Sequence, residues 1–192
     1  MGYGFMAYRV DLDAIRRLPD TGAAVIDKID KCRDEIENHD YQWTRQIAAG
    51  RPTMEQAMRD IVAGRLRDDA PAEYGYAIKV FCEYYGTFLD NAEVCPWNRG
   101  YEILDEELRA AGVTDGLPLT MLGWDPPIPV PGNTDFPAIG TFDNETCRRA
   151  GAQYAAAMPT LAESEYRSAA LQMGRWFRQA CDRDRAVVVF YH

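Results

Sequence analysis

The chain has 192 residues, of which 47% are hydrophobic and 27% charged, as expected for one globular domain with a substantial core. Its formal net charge of −9 argues against binding to nucleic acids or anionic membranes, which attract clustered lysine and arginine, and it favours a basic protein as partner. No basic segment precedes an apolar run at the start, and no apolar stretch approaches the roughly 20 residues of a membrane span, so we expect a cytoplasmic protein with reduced thiols.

The first 40 residues predict a strand followed by two helices. Residues 3–10 are aromatic and β-prone, which is typical of a strand. Asp11 or Asp13 then caps a short helix that ends before Pro19. Asp20 or Thr21 caps a longer helix, whose apolar stripe consists of Val25, Ile29, Cys32 and Ile36.

Three further helices are predicted between residues 53 and 111. Thr53 and Gln56 form a capping box for the first, which ends near Gly64. The most regular helical spacing of apolar residues lies in residues 74–85, and Gly86 is the expected C-terminal stop. A shorter helix covers residues 101–111.

The remaining residues predict an irregular segment, two helices and a terminal strand. Residues 112–142 are rich in proline and predict an extended, irregular segment that covers part of the surface. Asp143 caps a helix that runs to about Ala157, and a last helix spans residues 161–182. The final segment AVVVFYH alternates between two apolar faces, so we expect a strand that is covered on both sides.

A strand at each end of the chain, with helices between them, predicts that the two ends meet in one sheet. We therefore predict an α+β fold, a mostly helical single domain over residues 1–192 with a small sheet formed by the N- and C-terminal strands.

Several common binding and catalytic motifs are absent from this sequence or lack the structural context that they need. GYGFMA at residues 2–7 has a dinucleotide-binding spacing but no preceding strand, and no phosphate-binding P-loop occurs. The two histidines are His39, expected as a cation at a helix C-terminus, and His192, expected to be solvated. We therefore expect neither a metal site nor a cofactor.

The five cysteines include no C-x-x-C pair. Cys32, Cys82 and Cys181 lie on apolar helix stripes, where a thiol behaves as a small hydrophobe. Cys95 with His39 is formally a nucleophile and base, but the sequence does not show that the two meet.

Two predicted loops, residues 87–100 and 120–136, carry the candidate site. Aromatic residues in loops, beside polar groups, are frequent in recognition surfaces. Trp43 and Trp176 fall in other segments and are interpreted as packing. The candidate binding residues are Asp90, Asn91, Glu93, Cys95, Trp97, Trp124 and Asp125.

The C-terminal segments PAIGTFDNETCRRAGAQYAAA and LQMGRWFRQACDRDRAVVVFYH resemble the YfbM-like family of small bacterial proteins, with matches at Phe177, Ala180 and residues 186–190. The start MGYGFMAYRVDLDAI and the segment YGYAIKVFCEYYG are more similar still to a set of actinobacterial proteins with the same ends. The resemblance implies one bacterial domain and carries no catalytic residue.

The function expected from these features is binding. The charge of −9, the loop tryptophans and the missing catalytic motifs favour a binding protein, for instance an immunity-type inhibitor of a basic toxin. The alternative is a small hydrolase or transferase that uses the loop carboxylates Asp90 and Glu93, with or without Cys95.

Overall fold

A computed structural model describes residues 4–22, 25, 32–94 and 100–192. Its strands are β1 (Phe5–Val10), β2 (Gly86–Leu89), β3 (Ala138–Phe142) and β4 (Ala186–Tyr191). Its helices are α1 (Leu12–Arg16), α2 (Leu18–Thr21), α3 (Arg33–Gln42), α4 (Thr44–Ala48), α5 (Met54–Val62), α6 (Pro71–Tyr85), α7 (Gly100–Ala110), α8 (Pro118–Met121), α9 (Asn144–Ala157) and α10 (Arg167–Cys181).

The four strands form one antiparallel sheet in the order β2-β1-β4-β3. The terminal strands pair directly, with Ala7 opposite Val189 and Tyr8 opposite Val188. Five of the six residues of β4 are buried, because helices cover both faces of the sheet. The predicted α+β fold, with a sheet built from the chain's two ends, is confirmed.

Alternate residues along β1 and β4 face two separate apolar clusters. Tyr8 and Val188 belong to the first cluster, which includes apolar residues of α1, α5 and α6. Ala7 and Val189 belong to the second cluster, which includes those of α7, α9 and α10. The sheet is therefore the middle layer of the domain.

Side-chain caps begin three helices where the sequence predicts them. Asp11 accepts a hydrogen bond from the amide of Ala14, Thr53 from that of Gln56, and Asp143 from that of Thr146. Each bond satisfies an amide that has no partner within its own helix.

The helix boundaries differ from prediction at two places. The short helix α1 ends at Arg16, before Pro19, as predicted, but a separate short helix α2 follows, and Pro19 lies in its first turn, where its missing N–H costs nothing. The last helix begins at Arg167 because Ser164 donates to the Glu107 carboxylate and accepts from the amide of Tyr166, which holds residues 161–166 in turns. Residues 23–24 and 26–31, part of the predicted longer helix, lie outside the described residues.

The strands β2 and β3 were not predicted. Gly86 ends α6 as expected but also begins β2, without an intervening loop. The predicted irregular segment 112–142 contains α8 and β3. None of the described helices has the length and apolar character needed to cross a membrane.

Candidate functional site

A pocket of about 720 Å³ lies between α3, α6 and the neighbouring ends of β1 and β2. Met6, Met54 and Val80 give it apolar walls. Lys79 and Asn91 are among its polar groups. This mixture of apolar walls and a few polar groups is typical of a small-molecule site.

Four rings that line the pocket contact their neighbours: His39 in α3, Trp43 directly after α3, Tyr76 in α6, and His192. His39 stacks on Trp43 with ring centres 5.0 Å apart, and Tyr76 lies 5.2 Å from His39. Trp43 and Tyr76 meet at 72°, with centres 5.7 Å apart. The ring of His192 meets Tyr76 edge-on at 5.5 Å. The rings form a cluster with both faces and edges at the pocket.

Burial keeps both imidazoles neutral near pH 7. It lowers the pKa of His39, although this residue lies in the last turn of α3, where the sequence predicts a cation. Neither ring nitrogen of His39 has a hydrogen-bond partner among the described residues, and Nδ1 lies 3.6 Å from Asp40 Oδ1. Burial, assisted by Lys79, lowers the pKa of His192 to about 4. His192 is therefore not the solvated residue that the sequence predicts.

An ionic network forms one end of the pocket. Lys79, which is 8% exposed, places its Nζ 2.7 Å from Glu83 Oε1 and 3.3 Å from Glu35 Oε1. The hydroxyl of Tyr8 also donates to Glu83. One ammonium group thus joins two carboxylates, from α3 and α6.

The two carboxyl groups have different affinities for a proton. Burial and the neighbouring Glu83 raise the pKa of Glu35 to about 7, against the opposing effect of Lys79. Burial acts in the same sense on Glu83, but hydrogen bonds from Glu35, Lys79 and Tyr8 outweigh it and lower the pKa of Glu83. Near pH 7 the pair is therefore partly protonated, and Glu35 holds a proton more tightly than Glu83.

Cys32, Glu35 and Glu83 offer ligand atoms that lie within 4.8 Å of one another. Thiolate and carboxylate oxygen are both ligands of zinc. However, the ammonium of Lys79 contacts both carboxylates and supplies the positive charge that they require. This cluster therefore suits a protein cation better than a metal ion.

The described thiols have the character of packed side chains. Cys32, Cys82 and Cys147 are buried and Cys181 is half-buried. Burial raises the pKa of the Cys82 thiol far above its usual range and that of Cys147 to about 12. These groups are therefore poor nucleophiles near pH 7.

The structure brings one predicted binding residue to the pocket. Asn91 lines it and donates from Nδ2 to the carbonyl of Phe5 at 2.6 Å. Asp90 and Glu93 are exposed, and neither lines this pocket. The carbonyl of Asp90 accepts from Trp176, and the Glu93 amide donates to Gln172. Cys95 and Trp97 lie outside the described residues.

Trp124 and Asp125 lie elsewhere, beside β3. Trp124 forms a β-bridge with Ile139 and packs against the first apolar cluster. Asp125 is exposed, and its amide donates to the carbonyl of Ile139 at 2.8 Å. Strand β2 supplies Phe88 to the pocket and the turn after it supplies Asn91, whereas the pocket residues that the structure describes include none from 120–136.

Glu35, Lys79 and Glu83 are site residues that the sequence reading missed. One signal was present, because Lys79 interrupts the otherwise apolar run of residues 77–82 and Glu83 follows four residues later. Glu35 belongs to a charged stretch of α3 and carries no such signal.

Comparison with known proteins identifies the family to which the chain belongs. The whole chain, residues 1–192, matches the family described as "Domain of unknown function (DUF7691)". The chain belongs to this family. No curated protein and no solved structure matches it. The family match supports one unit over the full length, and it carries no statement on binding or catalysis.

Proposed function

We propose that this protein binds a small molecule in the pocket between α3, α6 and the sheet. The observation that carries the proposal is the buried imidazole of His39, whose two nitrogens have no hydrogen-bond partner in the described part of the chain. A polar group left in this state costs about 1–3 kcal/mol. A ligand in the pocket toward which the ring turns one of these nitrogens removes this cost by accepting or donating a hydrogen bond.

The size and lining of the pocket support the same proposal. A cavity of about 720 Å³ falls within the range of roughly 300–1,000 Å³ that is usual for small-molecule sites. Its described lining includes aromatic, amide and imidazole groups but no serine, threonine or cysteine. Binding is therefore better supported here than covalent catalysis by a hydroxyl or thiol nucleophile.

Ligand-detected NMR with a library of small organic fragments tests the proposal. Gly4 lines the pocket, and a β-carbon at this position meets no atom within 4 Å. Gly4→Phe is expected to occupy part of the pocket and abolish fragment binding. Gly132→Phe is the matched control, because Gly132 has the same free space but lies outside the pocket. Absence of binding, or equal binding to both variants, contradicts the proposal.

Acid–base catalysis is the second candidate, and one observation favours it. Glu35 is a carboxyl group whose pKa is raised to about 7 beside the ionised Glu83, an arrangement that suits proton transfer near neutral pH. This moves the hydrolase or transferase alternative from Asp90 and Glu93 to a carboxyl pair on helices. A turnover assay against ester and phosphate substrates checks it, and activity that survives Glu35→Gln contradicts it.

A basic protein partner, such as a toxin inhibited in the cytoplasm by this protein, is a separate proposal. It rests on the net charge of −9, and the YfbM-like resemblance neither adds to it nor opposes it. A partner recognised through charge should lose affinity as salt rises from about 0.05 to 0.5 M. Affinity that does not change with salt contradicts this mode of recognition.

A further inference from the structure

We propose that the ligand of this pocket is an organic cation, an amine or quaternary ammonium compound, whose charged group lies between the ring cluster and Glu35. The inference rests on the proposed binding function and names its ligand class. It assigns separate roles to the rings, which receive the cation, and to the carboxyl group, which balances its charge.

The rings provide the surface that a cation prefers. Trp43 and Tyr76 meet at 72° in an edge-to-face contact, which covers at most one face of one of the two rings. Both side chains are only partly buried and line the pocket. The electron-rich faces of tryptophan and tyrosine attract ammonium groups, most strongly where water is excluded.

The neighbouring imidazoles do not oppose a positive charge. His39 stacks on Trp43, and His192 meets the edge of Tyr76. Burial favours the neutral form of both histidines. A neutral imidazole has one nitrogen that accepts a hydrogen bond, which a protonated amine can donate.

The charges at the pocket favour a cation over an anion. Glu35, with its side chain 49% exposed, is the carboxylic acid among the described lining residues. Lys79, the one lysine among the lining residues that the structure describes, is already joined to Glu35 and Glu83 and is buried. An anion at this end of the pocket would approach the ionised Glu83 and oppose ionisation of Glu35, whereas a cation finds Glu35 accessible and favours its ionised form.

Cation binding should release a proton from Glu35. The groups that face this carboxyl are Cys32 at the start of α3, Lys79 and Glu83 on α6, and Tyr8 on β1. Glu83 favours the protonated form of Glu35, whereas Lys79 favours the ionised form. A second cation beside Glu35 adds to the effect of Lys79 and shifts the carboxyl group to its ionised form.

Three probes of nearly equal shape test the ligand class. Choline carries a quaternary ammonium group, 3,3-dimethylbutan-1-ol replaces its nitrogen with carbon, and 3,3-dimethylbutanoate is an anion of similar size. We expect choline to bind about tenfold more tightly than the alcohol, and the anion to bind most weakly. Trp43→Leu should weaken choline binding about fivefold and leave the alcohol nearly unchanged, because leucine retains apolar contact but has no π face.

Isothermal titration calorimetry near pH 7 in phosphate and in Tris tests the proton. Because these buffers have different ionisation enthalpies, proton release makes the observed binding enthalpy of choline differ between them. The difference should vanish in Glu35→Gln and persist in Glu37→Gln, a control at an exposed position of the same helix that does not line the pocket.

The outcomes separate this inference from the proposed function. Tighter binding of the alcohol or the anion than of choline, or choline binding without proton release, overturns the organic-cation inference and leaves a small-molecule pocket. Failure of all three probes also overturns the inference. The fragment experiment with Gly4→Phe then decides whether the pocket binds ligands at all.

Discussion

Glu83 is the residue on which the ionic end of the pocket depends. Its carboxylate contacts Lys79 from the same helix and Tyr8 from β1. Its side chain is 17% exposed and that of Lys79 is 10% exposed, so the pair is shielded from solvent. A shielded charge is costly to leave without its partner, which makes this pair more consequential than ion pairs on the surface.

Glu83→Gln should lower the free energy of unfolding by about 2 kcal/mol, because Lys79 keeps Glu35 as its one remaining carboxylate partner in the network. The pKa of Glu35 should also fall below about 7, because Glu83 no longer favours its proton. Urea unfolding near pH 7 measures the first effect and carbon-13 NMR of the glutamate carboxyl groups measures the second.

Glu55→Gln is the matched control for this substitution. Glu55 forms a pair with Arg59 at 2.6 Å, also four residues apart, but the two side chains are 54% and 40% exposed. The loss should stay within about 0.5 kcal/mol. Equal losses in the two variants contradict a special role for the shielded pair.

His192 should make stability fall as the solution becomes acidic. Its pKa is lowered from 6.5 to about 4 in the folded protein, mainly by burial. Between these values the unfolded chain binds a proton that the folded protein does not. The stabilisation is therefore complete above about pH 6.5 and is lost as pH falls toward 4.

His192→Gln removes this titration. The stability of the wild type minus that of the variant should fall by about 2 kcal/mol between about pH 7.5 and pH 4.5, as measured by urea unfolding. Glu35 has the opposite effect, since its raised pKa stabilises below about 4.5 and this contribution is lost up to about 7, but it is present in both proteins and cancels. A constant difference across this range contradicts a buried, neutral His192.

The pocket was less predictable from the sequence than the fold, because the environment of a single polar side chain depends on tertiary packing. Asn91, which lines the pocket, was among the predicted binding residues because loop amides beside aromatic residues are frequent in binding sites. Glu35 was not, because a glutamate in a charged helix has the same local pattern whether it faces solvent or Lys79. Its role depends on the packing of α3 near α6, which periodicity does not specify.

Among the helices and strands, those with a strong local sequence pattern were predicted and those with a weak pattern were not. β1 and β4 were predicted because β-branched and aromatic residues favour strands, and they make up half of β1 and most of β4. β2 has only four residues and β3 has five, and each contains a glycine. These two strands exist because β1 and β4 each offer a free edge, a tertiary effect that a short segment does not encode.

The junction between α6 and β2 requires glycine. A β-carbon on Gly86 would lie 2.6 Å from the carbonyl oxygens of Arg9 and Cys82. Both are backbone atoms within secondary structure and cannot move aside freely. Gly86→Ala should therefore lower the free energy of unfolding by about 2 kcal/mol, as measured by urea unfolding.

Gly132→Ala is the control for this junction, because a β-carbon on Gly132 meets no atom within 4 Å. Its stability should change by no more than about 0.5 kcal/mol. A Gly86→Ala variant as stable as this control would show that the strand β2 can shift to accept the methyl group.

At the scale of the whole molecule, one sheet supports two apolar clusters. Val188 and Val189 are adjacent in β4, both 0% exposed, and belong to different clusters. The pocket lies by the first cluster, and the interior of the second includes Trp176 and Phe177. β1 and β4 contribute side chains to both clusters. Loss of either cluster therefore destabilises these strands, which the other cluster also requires.

The two clusters should therefore unfold as one unit. Val188→Ala and Val189→Ala each remove two buried methyl groups from opposite faces of β4 and should each cost about 2 kcal/mol. Hydrogen exchange of the amides in α6 and α10 distinguishes shared from separate unfolding, since these helices belong to different clusters. In a single unit, either substitution lowers the protection of both helices by the same free energy. If Val188→Ala lowers amide protection in α6 alone and Val189→Ala in α10 alone, the two clusters unfold independently. Ligand binding at the pocket would then stabilise only the first cluster.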